Sequence, residues 1–205
     1  MTIIGPLGPL ETILTGPLET AKGIAVICHP HPLFGGSLNN KVVTILHKAF
    51  FELGLTTVRF NFRGVGTSAG QYSEGVGELE DLQAVINWLK QKAPLSPLWL
   101  AGFSFGAYIV AKGAALSTFQ QVILVAPPVQ HFDLKHSHMD CPCLVIQGEE
   151  DEVVPSSLVY EWCNSLEFPY ELFKISGAGH FFHGKLIGLK EQLKHYLLEK
   201  HAYLN

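Results

Sequence analysis

Residues 98–111 read Leu98-Trp99-Leu100-Ala101-Gly102-Phe103-Ser104-Phe105-Gly106-Ala107-Tyr108-Ile109-Val110-Ala111. An apolar run leads into Gly-x-Ser-x-Gly and a small, apolar run leaves it, which predicts a buried strand, a sharp turn and a buried helix. The glycines matter because so tight a reversal brings neighbouring backbone close, and no flanking Cβ can stand in the way. Ser104 is then lifted above the edge of a sheet. The helix that starts behind it has free amides, so the Phe105 N–H can donate to an oxyanion formed beside the serine. A Gly-Ser turn that merely joins two elements would show the same five residues, so the rest of the chain has to decide between the two.

Around this turn, short β-branched runs alternate with longer segments of helical period, the pattern of parallel strands joined by right-handed helical crossovers. The expected class is α/β, with about seven strands, mostly parallel, and helices on both faces. Strands are predicted at Glu11–Thr15, Ile24–Cys28, Thr56–Asn61, Leu98–Gly102, Gln121–Ala126, Cys143–Gln147 and Tyr170–Ile175. Several are apolar on both faces, as a covered sheet requires. Helices are predicted at Asn39–Leu53, Gly77–Gln91, Phe105–Leu116, Ser156–Ser165 and His183–Glu199. In the second, Leu79, Leu82, Val85, Ile86 and Leu89 recur at helical spacing, and Glu78, Glu80 and Asp81 are read as a solvated helix start that suits the macrodipole.

The chain has 205 residues, 47% hydrophobic and 16% charged, enough for one substantial core, and it is read as a single domain over 1–205. A net charge of −4 leaves no basic field for phosphate backbones or anionic membranes, so neither nucleic acid nor membrane is an expected partner. The start, Met1-Thr2-Ile3-Ile4-Gly5-Pro6, has no cationic head and is broken by Pro and Gly, so a cytoplasmic location is expected. Residues 93–111 are free of charge, but Pro94, Pro97, Gly102 and Gly106 argue against a membrane span. The four cysteines, Cys28, Cys141, Cys143 and Cys163, are expected to be reduced.

With this context the chain resembles the α/β-hydrolase superfamily, in which a nucleophile, an acid and a histidine follow in that order. Val145-Ile146-Gln147-Gly148-Glu149-Glu150-Asp151-Glu152-Val153-Val154-Pro155 is similar to the family's G-x-x-D-x-x-V-P acid loop, which matches Asp151 to the acid position. Glu149, Glu150 and Glu152 are rivals, read as solvated loop charges. Ser176-Gly177-Ala178-Gly179-His180 resembles the family's G-x-x-H loop and matches His180 to the base; His183 is read as a surface or helix-start histidine. The resemblance implies a serine hydrolase acting on a small-molecule carboxylic ester or thioester through an acyl-enzyme, with no cofactor. Peptidase-like amide hydrolysis and a non-catalytic ligand-binding module on the same fold are the alternatives, and a homodimer stays open.

His29-Pro30-His31-Pro32-Leu33-Phe34-Gly35-Gly36-Ser37 falls where the family builds the other half of its oxyanion hole. Neither proline has an N–H, so the second donor must come from His31, Leu33 or Phe34, and Leu33 is the choice here. This stretch, with Asn61-Phe62-Arg63-Gly64-Val65-Gly66-Thr67-Ser68, resembles small bacterial hydrolases related to dienelactone hydrolases and prolyl-peptidase-type enzymes. Arg63 is read as a brace for its loop, with an acidic substrate group as the other use. His29 with His31, and His131, His136, His138, Cys141 and Cys143, fit no compact zinc spacing, so no metal is expected. Only residues 127–142 separate the fifth and sixth predicted strands, too few for a helical cap, and the site is expected to be open. Phe34, Phe103, Phe105, Phe181 and Phe182 are candidates for an apolar rim or for core packing.

Overall fold

The computed structural model describes residues 2–134 and 139–204. Their backbone builds one sheet of eight strands: β1 (Thr2–Gly5), β2 (Gly8–Thr15), β3 (Ile24–Cys28), β4 (Thr56–Phe60), β5 (Leu98–Phe103), β6 (Gln121–Val125), β7 (Cys143–Gly148) and β8 (Tyr170–Ile175). The spatial order is β1-β2-β4-β3-β5-β6-β7-β8. β1 and β2 form an antiparallel hairpin, β2 runs antiparallel to β4, and every other pairing is parallel. The strand absent from the sequence prediction is β1. Pro6, Gly8 and Pro9 hide its apolar alternation, and prolines are compatible with pairing at a sheet edge, where Ile4 stands opposite Pro9.

The central strands are buried on both faces, yet their residues still alternate between two cores. Ile24, Val26 and Cys28 of β3 pack on one side, with Leu82, Val85 and Ile86 of α2 (Val76–Lys92), Ile109 of α3 (Phe105–Gly113) and Val159 of α4 (Ser156–Asn164). Ala25 and Ile27 face the other way, onto Val42, Leu46 and Phe50 of α1 (Lys41–Glu52) and Leu189 and Leu193 of α5 (Leu186–Lys200). Period-2 geometry thus divides a continuous apolar run between two helical layers.

Helix ends differ from expectation for local reasons. α1 starts at Lys41 because the Asn40 side chain accepts the Val42 N–H at 2.9 Å and caps it. α5 starts at Leu186 and not at His183, because Phe182 and Gly184 both sit at positive φ, 53° and 72°. α3 tightens into a 3-10 turn at Ala114–Leu116. Between β6 and β7 the described residues form neither helix nor strand, so nothing there builds a lid over the sheet. No helix among the described residues is long and apolar enough to cross a membrane. All four cysteines are free, and Cys28, Cys143 and Cys163 are buried.

The start of α2 overturns the reading of its carboxylates as solvated. Glu78 is buried and accepts the Ser73 and Gly75 N–H groups at 2.8 and 2.7 Å, closing the helix N-terminus. Asp81 is also buried and takes Arg63 Nη2 at 2.8 Å and the Arg63 backbone N–H at 2.9 Å. Only Glu80 stays at the surface, 3.1 Å from the same guanidinium. Arg63 is therefore the brace of the β4–α2 loop, and a Cβ on Gly77 would collide with it.

Removing one partner of a buried pair leaves the other charge uncompensated. Asp81→Asn should therefore lower unfolding free energy by about 3 kcal/mol, against less than about 1 kcal/mol for Glu80→Gln at the exposed pair. Urea denaturation followed by circular dichroism distinguishes the two.

Candidate active site

β5 ends at Phe103 and α3 begins at Phe105, so Ser104 alone makes the reversal, at φ 54° and ψ −120°. Such a conformation costs a non-glycine residue about 1–3 kcal/mol and persists only where its surroundings enforce it. Those surroundings are backbone. A Cβ on Gly102 would run into the Gly106 carbonyl, and one on Gly106 would run into the carbonyl oxygens of Cys28 and His29 at the end of β3. The Ser104 N–H is anchored on Val125 O at 2.8 Å, and its carbonyl accepts Ala107 N–H at 2.7 Å. Phe105, as the first helical residue, keeps its N–H free of intrahelical bonds.

The partners of Ser104 come from the next strands of the sheet. β7 and β8 pair in parallel with Gly148 opposite Ile175, and the loops that leave them stay bound together: Glu149 N–H donates to Ile175 O at 3.1 Å and Glu150 N–H to Ala178 O at 3.0 Å. Gly148 allows this contact, since a Cβ there would collide with Ala178 O. Asp151 and His180, 29 residues apart, consequently meet. His180 Nδ1–H donates to Asp151 Oδ2 at 2.8 Å, and His180 Nε2 accepts from Ser104 Oγ at 3.1 Å.

Both partners are buried, Asp151 at 7% and His180 at 3% exposure. Burial pushes the Asp151 carboxyl up, but the hydrogen bond from His180 and the Val154 and Val153 amides outweigh it and hold the group below its ordinary value. Those amides donate to Oδ1 at 2.7 and 2.9 Å. The rival carboxylates are exposed and do not reach the His180 ring; Glu152 instead accepts the His180 backbone N–H at 3.2 Å, a contact the reading as a solvated loop charge did not anticipate. His183 is exposed and stacks on Phe181, with ring centroids 5.9 Å apart.

β3 delivers the loop opposite. His29 is buried, its Nδ1–H on Pro30 O at 2.6 Å and its Nε2 accepting the Phe62 N–H at 3.0 Å. Burial pushes its pKa down to about 4, so it is neutral and both ring nitrogens are spent. Leu33, the expected second oxyanion donor, gives its N–H to His31 Nδ1 at 3.2 Å, and Phe34 gives its own to His31 O at 3.1 Å. The His31 N–H is thus the unspent one of the three. Pro32 starts a 3-10 turn, Pro32–Phe34, and the His31 ring caps it as a serine or asparagine would, which is the signal that counting prolines overlooked.

Sequence reasoning also passed over Tyr72, whose hydroxyl accepts His31 Nε2–H at 3.1 Å and ties the β4–α2 loop to the β3–α1 loop. Of the candidate rim aromatics, Phe34 is 85% exposed and packs on the His31 ring, and Phe181 is partly exposed beside His180. Phe103, Phe105 and Phe182 are core. Among the described residues no group of three or more His, Cys, Asp or Glu side chains is placed to hold a metal ion; His136 and His138 lie outside the described residues.

Comparison with known proteins agrees with this fold. Residues 26–141 match the sequence profile of the α/β-hydrolase fold. An uncharacterized protein of Rickettsia prowazekii is 34% identical over 95% of this chain and 86% of its own. A solved α-β serine hydrolase homologue from Coxiella burnetii is 51% identical, covers 96% of each chain and superposes with a TM-score of 0.91. A serine hydrolase without a lid from Xanthomonas campestris is 44% identical over 97% of this chain and 93% of its own, with a TM-score of 0.92.

The backbone contact at Gly106 is directly testable. Gly106→Ala should lower stability by about 1–3 kcal/mol, because the neighbouring carbonyls are main chain and cannot step aside cheaply. Gly188→Ala in α5, where a Cβ meets nothing within 4 Å, should raise stability by about 0.5–1 kcal/mol. Chemical denaturation of the two variants beside wild type checks both signs.

Proposed function

Because the chain belongs to the α/β-hydrolase fold family, we propose that it is a serine hydrolase that cleaves a carboxylic ester or thioester through an acyl-enzyme intermediate. The observation that carries this reading is the line Asp151–His180–Ser104, with hydrogen bonds of 2.8 and 3.1 Å, running from a buried carboxylate to a half-buried serine held at positive φ.

In this mechanism Ser104 Oγ attacks the acyl carbonyl while His180 Nε2 takes its proton. Asp151 keeps the other ring proton on Nδ1, which leaves Nε2 free to accept, and stabilises the imidazolium that forms. The oxyanion of the tetrahedral intermediate accepts from the Phe105 N–H, at the start of α3, and from the His31 N–H. Collapse breaks the bond to the alcohol or thiol, which leaves with the proton from His180. Water then attacks the acyl-Ser104 ester by the same route and releases the carboxylic acid. A non-catalytic binding module would have no use for the strain at Ser104, which opposes folding by about 1–3 kcal/mol.

Ser104→Ala should reduce turnover of p-nitrophenyl esters and acyl thioesters by at least about 10⁴-fold while the protein stays folded. Retained turnover in protein free of contaminating esterase would falsify the assignment of the nucleophile. Along the acid loop, Asp151→Asn should be severely impaired and Glu149→Gln and Glu150→Gln close to wild type in kcat/KM, since only Asp151 reaches the imidazole. The reverse order among these three variants would mean that the acid has been misassigned.

A further inference from the structure

β7 runs Cys143-Leu144-Val145-Ile146-Gln147-Gly148, buried throughout, and Gln147 is the one side chain in it that carries hydrogen-bonding groups beyond a thiol. Its amide is fully enclosed. Nε2 lies 3.0 Å from Asp151 Oδ2, 3.2 Å from Val154 O and 3.3 Å from Gly148 O, while Oε1 meets no hydrogen-bond donor among the described residues. Every hydrogen bond that this amide makes with the described residues is therefore on its donor side.

We propose that Gln147 is a positioning residue for the reaction, holding the Asp151 carboxylate in the orientation that His180 needs. This inference rests on the hydrolase reading above. Oδ1 of Asp151 is fixed by the Val153 and Val154 amides, and Oδ2 receives two donors, His180 Nδ1–H and the Gln147 amide. With Gln147 in place the carboxylate cannot turn about its Cβ–Cγ bond, and the lone pair left on Oδ2 is directed at Nδ1. Because Nε2 also bonds Val154 O, the same amide ties the acid loop to the strand that launches it. Its orientation is dictated: turned over, Oε1 would face Asp151 Oδ2 and Val154 O, acceptor against acceptor. Gln147 acts only through Asp151 and has no contact with Ser104 or the proposed oxyanion donors.

The test is Gln147→Met, which keeps the length and removes the donor. Four readouts are compared with wild type: the second-order rate of Ser104 labelling by a fluorophosphonate, kcat and KM for a p-nitrophenyl ester, the low-field proton resonance of His180 Nδ1–H, and Tm. Labelling and kcat should fall about ten- to hundredfold, the size of effect expected when a catalytic group is misplaced by a fraction of an ångström to an ångström, with KM within about twofold. The His180 proton should shift or broaden, and Tm should fall by several degrees at most, because Val154 O and Asp151 Oδ2 lose a donor, leaving the protein fully folded at the assay temperature. Unchanged labelling with the resonance in place overturns the proposal, as does a loss of activity that only follows a loss of Tm. Should Gln147→Met not fold, Gln147→Glu decides: its labelling rate relative to wild type should recover as pH falls, because a protonated carboxyl regains the donor. His180, Asp151 and Glu152 are the ionisable groups around it; their own titration cancels in that ratio only once the new carboxyl is protonated, so the ratio is read at the acid end of the profile. A pH-independent ratio, or failure of both variants to fold, assigns Gln147 to structure alone. Ser104→Ala and Asp151→Asn run in parallel: if they remain active the hydrolase reading fails, and if they are inactive while Gln147→Met is not, only this inference fails.

Discussion

Main-chain atoms of β3, β5 and α3 approach one another more closely than any side chain would permit, and the site is organised around that approach. Gly102 and Gly106 leave room for the first turn of α3 to fold back on β5 and to rest against the carbonyls of Cys28 and His29. One consequence is the positive φ of Ser104, which lifts its hydroxyl off the end of the sheet. A second is that the amide end of α3 lies beside the loop that follows β3. The proposed nucleophile and both proposed oxyanion donors therefore depend on a contact between backbones, and their relative placement does not rely on the rotamer of any flexible residue.

The opposite side of the site is organised by polar groups taken out of water. Parallel pairing of β7 and β8 brings the acid loop to the histidine loop, and hydrogen bonds from Glu149 and Glu150 amides continue the pairing past the strand ends. Asp151 stays ionised in this enclosure because two amides and the His180 ring donate to it. His29 shows the converse, a histidine kept neutral by burial and used as a hinge pin between the β3 and β4 loops. These two imidazoles differ in what faces them: a carboxylate for His180, a carbonyl and an amide N–H for His29. The described residues between β6 and β7 form no lid, and the exposed Phe34 and Phe181 form the apolar margin of an open site.

Much of this could be read along the chain. The strand-turn-helix around Ser104, the class of the fold and both acid and histidine loops are local patterns, in which a few adjacent residues carry their own geometric requirement. Carboxylates at the start of α2 were misread because a sequence shows Glu78 and Asp81 near a helix N-terminus, but not that Arg63 and the Ser73–Gly75 turn fold over them. β1 was hidden because its stability comes from pairing with β2 and not from its own composition.

By itself, the sequence determined which residue sits at the sharp turn, which loops carry a carboxylate and a histidine at the family's spacing, and that the interval between β6 and β7 is too short for a cap. Those are properties of neighbours along the chain, governed by backbone sterics and periodicity. Only the tertiary structure decided that Leu33 is spent on His31, that Glu152 holds the histidine's backbone and that Gln147 grips Asp151. Each of these is a competition among several donors for one acceptor, and its outcome depends on distances set by packing between separate elements.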